Sequence, residues 1–256
     1  MLKIEIREQI KLFLTALMFL TRVPCPKWIG YSEEQLNSSC RYFPLIGTFV
    51  GASGAIAWWL ANFLWPPSVA TLLAMITTII ITGAFHEDGF SDTCDGFGGG
   101  WNRSQILTIM KDSRVGAYGV IGIIFALGLK FALLEALPNH MIVASLIIAH
   151  TVSRFLAISF IFTHDYARDD DTSKIRPLAY RIRRIDFWFG IATTALTLML
   201  LPLYTIIPII IATLIVYIIA SKVLLAPLAG YTGDTLGAIQ QMSELVVYLV
   251  ILAVVG

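Results

Sequence analysis

The chain has 256 residues, 57% of them hydrophobic and only 14% charged, with a mean hydropathy of +0.78. Soluble domains carry roughly 25% charged residues, so this composition argues against a water-soluble enzyme and against disorder. The 18 Lys and Arg nearly balance 17 Asp and Glu, which leaves no basic excess of the kind a nucleic-acid partner requires.

Residues 4–22 come first, with Glu5 and Glu8 amid Lys3, Arg7 and Lys11, then an apolar run over 12–20 that meets Arg22 rather than a small-residue cleavage site. The run is too short to cross a bilayer and predicts an interfacial or re-entrant helix instead of a signal peptide. Cys25, Cys40 and Cys94 are an odd set without C-x-x-C spacing, so neither a disulfide framework nor a zinc site is read from them. A membrane helix needs about 17–25 mostly apolar residues. Segments 43–65, 69–85, 117–137, 141–163, 187–205 and 206–226 qualify, and 245–256 joins them if its helix starts upstream, near Met242.

The connections alternate. Pro66-Pro67-Ser68, Pro138-Asn139-His140 and the Tyr204-Thr205 corner before Pro208 are short and lack Lys and Arg, whereas 86–116, 164–186 and the segment before 43 hold nearly all the charge. All 18 cations except Lys130 and Arg154 fall on that charged side, which the positive-inside rule makes cytoplasmic. The expectation is an all-α, polytopic integral membrane protein. It forms a single membrane-embedded domain over 1–256, with about six to seven transmembrane helices plus the N-terminal helix, in the cytoplasmic (inner) membrane with its chemistry facing the cytoplasm. Lys130, near an outer helix end, reads as a snorkelling side chain. Arg154, deeper and at helical spacing with His150 and Ser153, reads as the lining of a polar cavity.

The strongest local signal is FHEDGFSDTCDGFGGG, residues 85–100. Asp88, Asp92 and Asp95 recur at i, i+4 and i+7, within about 60° of one helix face. Carboxylates so placed at a membrane boundary repel one another unless a divalent cation sits among them, and hard oxygen donors suit Mg²⁺, Mn²⁺ or Ca²⁺. Gly89 leaves room beside Asp88 and Asp92 for a phosphate, and His86 is a hydrogen-bonding neighbour on the adjacent face. Downstream, Lys111 and Arg114 flank Asp112 in IMKDSRVG, where a point charge and a planar fork suit phosphate recognition. In GYTGDTLGAIQQMSE, residues 230–244, two glycines around Asp234 predict a tight turn able to hold phosphate or lend a carboxylate. Glu244 is the other acid there. Arg41, in RYFPLIG, is either a membrane anchor or a substrate contact.

The motifs FPLIG, FHEDGFSDTCDGFGGG, IMKDSRVGAYG and GYTGDTLGA, in this order over most of the chain, resemble the adenosylcobinamide-GDP ribazoletransferase (cobalamin 5′-phosphate synthase) family. The resemblance implies a Mg²⁺-dependent membrane transferase that joins adenosylcobinamide-GDP to α-ribazole or its 5′-phosphate and releases GMP late in cobalamin assembly. In that reading Asp88 and Asp92 ligate metal, with Glu87 as a third ligand. Asp95, taken as furthest toward solvent, either accepts the hydroxyl proton or joins the ligands. Lys111, Asp112, Arg114, Arg154 and Asp234 bind substrate. Besides substrates and lipid, other cobalamin-assembly enzymes or a second copy of the chain are the partners considered. Two competing classes are a CDP-alcohol phosphotransferase, which uses a similar Asp-rich, Gly-containing membrane metal site, and a divalent-cation transporter, which would place polar groups at mid-depth in several spans.

Overall fold

The computed structural model describes residues 2–167 and 182–256, with side chains described from Ile6 onward. It is helical, with no β-strand among the described residues. Helix α1 (Leu2–Leu20) is followed by α2 (Glu33–Ser39), whose N-terminus is closed by the Ser32 side chain accepting from the Gln35 N–H. The hairpin of α3 (Phe43–Ala61) and α4 (Pro67–Thr82) comes next, then α5 (Phe85–Gly99) and α6 (Arg103–Ile109). A second hairpin joins α7 (Ala117–Ala136) to α8 (Asn139–Thr163), and a third joins α9 (Arg184–Leu198) to α10 (Leu203–Ala220). A π-helical turn over Ser221–Leu225 and the short α11 (Ala226–Leu228) lead into α12 (Gly233–Val255).

The centre of the bundle is α8, most of whose length is buried. Helix α3 lies directly on it because Gly47 and Gly51, one turn apart, face its backbone. A Cβ on Gly47 would stand 2.2 Å from the His150 carbonyl oxygen, and one on Gly51 2.5 Å from that of Leu146. Small residues at i and i+4 are what allow helix backbones to approach in lipid, where apolar burial alone gives no net attraction. The outer face of α10 is apolar as well, with Ile207, Ile211, Leu214 and Ile218 all exposed, as a lipid-facing helix requires.

By length and composition, α3 (taken with the helical turns before it), α7, α8, α10 (continued through α11) and α12 can cross a membrane, and the bent pair α4–α5 adds a sixth span if counted as one. The sequence predicts six to seven. The segment expected as a span over 187–205 is the fifteen-residue α9, too short to meet the same test. Its boundary also moves: the corner lies at 199–202, with Pro202 as the cap, and Pro208 is inside α10. Proline's fixed φ makes Pro202 a good starter, so the bonding pattern begins there and Thr205 hydroxyl donates back to the Pro202 carbonyl at 2.7 Å. At the C-terminus the expected short segment 245–256 is the second half of a 23-residue helix, so Asp234 and Glu244 belong to α12 and not to a loop. Of the charged connection 164–186, residues 168–181, including Arg168, Lys174, Arg176 and Arg181, lie outside the described residues.

One break positions everything that follows. Gly83 (φ +66°) and Ala84 (φ +58°) are both left-handed, and consecutive residues of that hand turn the chain by 87° between α4 and α5. The acidic sequence is therefore a separate helix folded beside the second span. The Arg22 N–H donates to the Ile81 carbonyl at 2.7 Å and its side chain covers Gly83, so the end of α1 holds the corner.

Candidate active site

Helix α5 presents its carboxylates to different surroundings. Asp88 is exposed and Asp92 half-buried, one turn apart on the open side of the helix. Asp95 turns inward instead of toward solvent, which corrects the sequence expectation. Its two oxygens accept the N–H groups of Gly116 at 2.7 Å and Gly119 at 2.9 Å, closing the N-terminus of α7. A carboxylate is a strong partner for those orphan donors and complements the positive helix end. Asp95 thereby ties the 110–116 segment to α5.

Glu87 also departs from expectation. It points into the bundle, where Oε1 accepts from the Gln241 side chain at 3.0 Å, so it is not a third ligand beside Asp88. Among the described residues, no three His, Cys, Asp or Glu side chains converge on a metal position. Two hard-oxygen carboxylates one turn apart remain, which fits Mg²⁺, an ion usually held by one or two carboxylates and completed by water and substrate phosphates.

The third motif arrives through α12. Thr232 caps it reciprocally: its hydroxyl accepts from the Thr235 N–H at 3.1 Å while its own N–H donates to the Thr235 hydroxyl at 2.8 Å. The first turn, carrying Asp234, then presses on α5 at Gly89, where a Cβ would meet the Asp234 Cα at 2.9 Å. Gly89 thus admits backbone, and the phosphate role read for it from the sequence is replaced by this helix contact. On the third side, Lys111 and Arg114 are exposed. Arg114 is chelated by Asp112, Nη2 to Oδ2 at 2.6 Å, and holds that carboxyl down at about 2, so the pair stays ionised at physiological pH.

Arg41 is tied into the fold by its own neighbours. It pairs with the buried Asp186, which also takes Arg183 at 2.9 Å, and it donates to Gln9 Oε1 at 3.3 Å and the Ser38 carbonyl at 3.2 Å. Arg103 is likewise committed: Nε donates to the Leu228 carbonyl at 2.8 Å and Nη2 to that of Ala167, fastening α6 to α11 and to the residues just after α8. Arg103→Lys should therefore cost stability, about 1 kcal/mol or more, because an ammonium cannot reach both carbonyls with the guanidinium geometry. A thermal melt of the purified variant checks this against Arg184→Lys, an exposed cation at the start of α9, whose melt should match that of the unsubstituted protein.

Sequence reasoning missed a buried polar network behind α5. Lys130 does not snorkel; its ammonium lies 2.5 Å from Glu244 Oε1, both side chains being 2% exposed or less. Glu244 also accepts from Gln240 at 2.8 Å and from the Tyr248 hydroxyl at 3.2 Å, and Gln240 reaches Ser153 at 3.0 Å. Arg154 Nη1 donates to the His150 carbonyl at 3.0 Å. The available signal was the i, i+4 spacing of Gln240 and Glu244 within an otherwise apolar segment.

The sequence model of the family described as cobalamin-5-phosphate synthase matches residues 12–252. Curated relatives include the adenosylcobinamide-GDP ribazoletransferases of Shewanella amazonensis, 46% identical with 96% of each chain covered, and of Shewanella frigidimarina, 44% identical with 96% of each chain covered. That of Shewanella oneidensis is 44% identical, covering 97% of this chain and 96% of its own. No solved structure matches. The chain belongs to the cobalamin-5-phosphate synthase family.

Proposed function

We propose that this member of the cobalamin-5-phosphate synthase family joins adenosylcobinamide-GDP to α-ribazole or its 5′-phosphate and releases GMP. The observation that carries the reading is that three motifs distant in sequence assemble around α5: its own Asp88 and Asp92, the 110–116 segment through Asp95, and Asp234 through Gly89. Transfer requires a hydroxyl oxygen of the nucleoside to bond the phosphorus that carries the corrinoid. The pyrophosphate P–O bond breaks and GMP leaves with the electron pair.

Asp88 and Asp92 are the residues that would hold Mg²⁺. When bound, the ion would neutralise charge on the phosphoryl oxygens. Lys111 and Arg114 stand as cationic partners for the pyrophosphate, with Asp112 keeping the Arg114 fork oriented until phosphate displaces it. Because Asp95 is occupied by backbone donors, accepting the hydroxyl proton falls to Asp88, Asp92 or Asp234. Membranes containing the protein should release GMP only when both substrates are present, and should stop on chelation and recover with Mg²⁺. GMP release that does not depend on the nucleoside would refute the assignment.

The site is proposed to face the cytoplasm from the inner membrane, on the strength of the cation distribution. In a background without Cys25, Cys40 and Cys94, an impermeant thiol reagent added to intact cells should modify His140→Cys, exposed in the first turn of α8, and spare Ser104→Cys on α6. The reverse pattern would invert the topology.

A further inference from the structure

Helix α5 carries Asp88 in its first turn, yet no side chain closes that end: the cap is Ala84, whose carbonyl accepts from the Asp88 N–H at 2.9 Å. A first turn without a side-chain cap depends on tertiary contacts for its order. Two such contacts, Gly89 on Asp234 and Gly237 on His86, are glycine against backbone and set the distance between α5 and α12. They leave the rotation of α5 about its own axis open. Directional bonds on the inward face settle it. Glu87 accepts from Gln241 at 3.0 Å, and Asp95, two turns on, accepts from the Gly116 and Gly119 amides. Asp88 and Asp92 each follow a buried residue, Glu87 and Ser91, by one position, about 100° round the helix. The inward anchors therefore decide where the outward carboxylates point.

Gln241 is itself held so that its amide cannot turn over. Its Nε2 donates to Glu87 Oε1 and to Gln240 Oε1, each at 3.0 Å. Gln240 Nε2 donates in turn to Ser153 at 3.0 Å and to Glu244 at 2.8 Å, and Glu244 is fixed by Lys130. Flipping either amide would set an oxygen against a carboxylate, so orientation runs from α7 and α8 through α12 into the first turn of α5. Stability alone does not account for this chain of contacts. Glu87 Oε2 is buried with no hydrogen-bond partner among the described residues, and a half-satisfied buried carboxylate is worse for stability than an apolar side chain of its size.

We propose that Gln241 is a positioning residue for the transfer site: through Glu87 it fixes the rotation of α5, so that Asp88 and Asp92 stay together on the open side where Mg²⁺ would be held. The inference rests on the proposed function and deepens it. The leverage is large. A carboxylate stands about 6 Å from the helix axis, so a roll of about 20° moves it about 2 Å, the length of a Mg–O bond, and Mg²⁺ demands near-ideal octahedral geometry.

The test uses the full-length protein in nanodiscs and reads two quantities: Mn²⁺ binding without substrates, by electron paramagnetic resonance of the free ion, and GMP release across a Mg²⁺ titration. Mn²⁺ binding by the unsubstituted protein, its loss in Asp88→Asn, and turnover establish the proposed function; their absence overturns that reading and this one with it. Gln241→Met keeps the volume and removes the donors. It should raise the Mn²⁺ Kd by about 10-fold or more, the effect of losing a group that supports a metal ligand, and turnover lost at limiting Mg²⁺ should return at saturating Mg²⁺. Glu87→Met breaks the same bond from the other side and should match it, which keeps the test open if Gln241→Met fails to insert. Glu87→Gln retains the acceptor and should bind Mn²⁺ within about twofold of the unsubstituted protein. Ile251→Ala, in the buried core of α12 and well beyond Gln241, should lower the melting temperature and leave the Mn²⁺ Kd in place. A Gln241→Met Kd within twofold of the unsubstituted value would overturn the assignment. So would a loss that Glu87→Gln shares, or one that Ile251→Ala reproduces, since affinity would then follow stability and not the bond.

Discussion

Asp88→Asn should abolish transfer, lowering turnover by about 100-fold or more, while leaving the melting behaviour of the protein nearly unchanged. The two halves of that expectation come from one observation, that Asp88 is the exposed carboxylate on α5. The exchange keeps the shape of the side chain and removes the charge that would hold Mg²⁺. Losing even a residue that merely supports a metal ligand commonly costs 10- to 100-fold, and loss of a ligand costs at least as much. Glu87→Gln is the counterpart one residue away. Its carboxylate faces inward on Gln241, so the substitution should lower the melting temperature and leave the Mg²⁺ concentration for half-maximal activity in place. Turnover measured by GMP release across a Mg²⁺ titration, alongside thermal melts, separates the two. An Asp88→Asn protein with ordinary turnover at limiting Mg²⁺ would remove Asp88 from the proposed site.

The contrast between neighbours also explains how far the sequence could be read. Spans were legible where a long apolar run meets a proline or charge at its ends, as in α3, α7 and α8. The α4–α5 corner was hidden because its cause is dihedral: Gly83 announces a left-handed residue, but Ala84 does not, and two in succession turn what reads as one helix into two. Periodicity placed Asp88, Asp92 and Asp95 correctly on one face, yet a face has depth along its length. As α5 descends toward α7, Asp95 meets the Gly116 and Gly119 amides, a contact between elements that no local pattern reports. Arg103 and Arg114 show the same limit. By flank alone they look alike, but one is fixed by two distant carbonyls and the other is held by Asp112, two residues away. The polar run in α12 was read as a turn because Gly233 and Gly237 suggest one. Gly237 instead serves close packing, facing the His86 carbonyl of α5 at a would-be Cβ distance of 3.1 Å.

Glu244→Gln should destabilise the fold by about 3–5 kcal/mol, the range for removing one partner of a buried ion pair. Glutamine retains the shape and can still accept from Tyr248, so packing hardly changes. What it removes is the charge opposite Lys130, whose ammonium lies 2.5 Å away and has no route to water. A lone ammonium at that depth in a low-dielectric surrounding is far costlier than the pair. Lys130→Met on its own should cost less, because Glu244 retains Gln240, Tyr248 and the His150 ring at 3.4 Å. Combining the two, Lys130→Met with Glu244→Gln, should recover most of the loss, since the two opposite charges are then removed together. The measurement is a double-mutant cycle on unfolding free energy in a defined detergent, where a coupling of roughly 2 kcal/mol or more is expected for groups in direct contact. Additive losses would mean that Lys130 finds another counter-charge once Glu244 is neutralised, with Glu87 the nearest alternative carboxylate in the same network. The triple variant adding Glu87→Gln would then show the missing coupling.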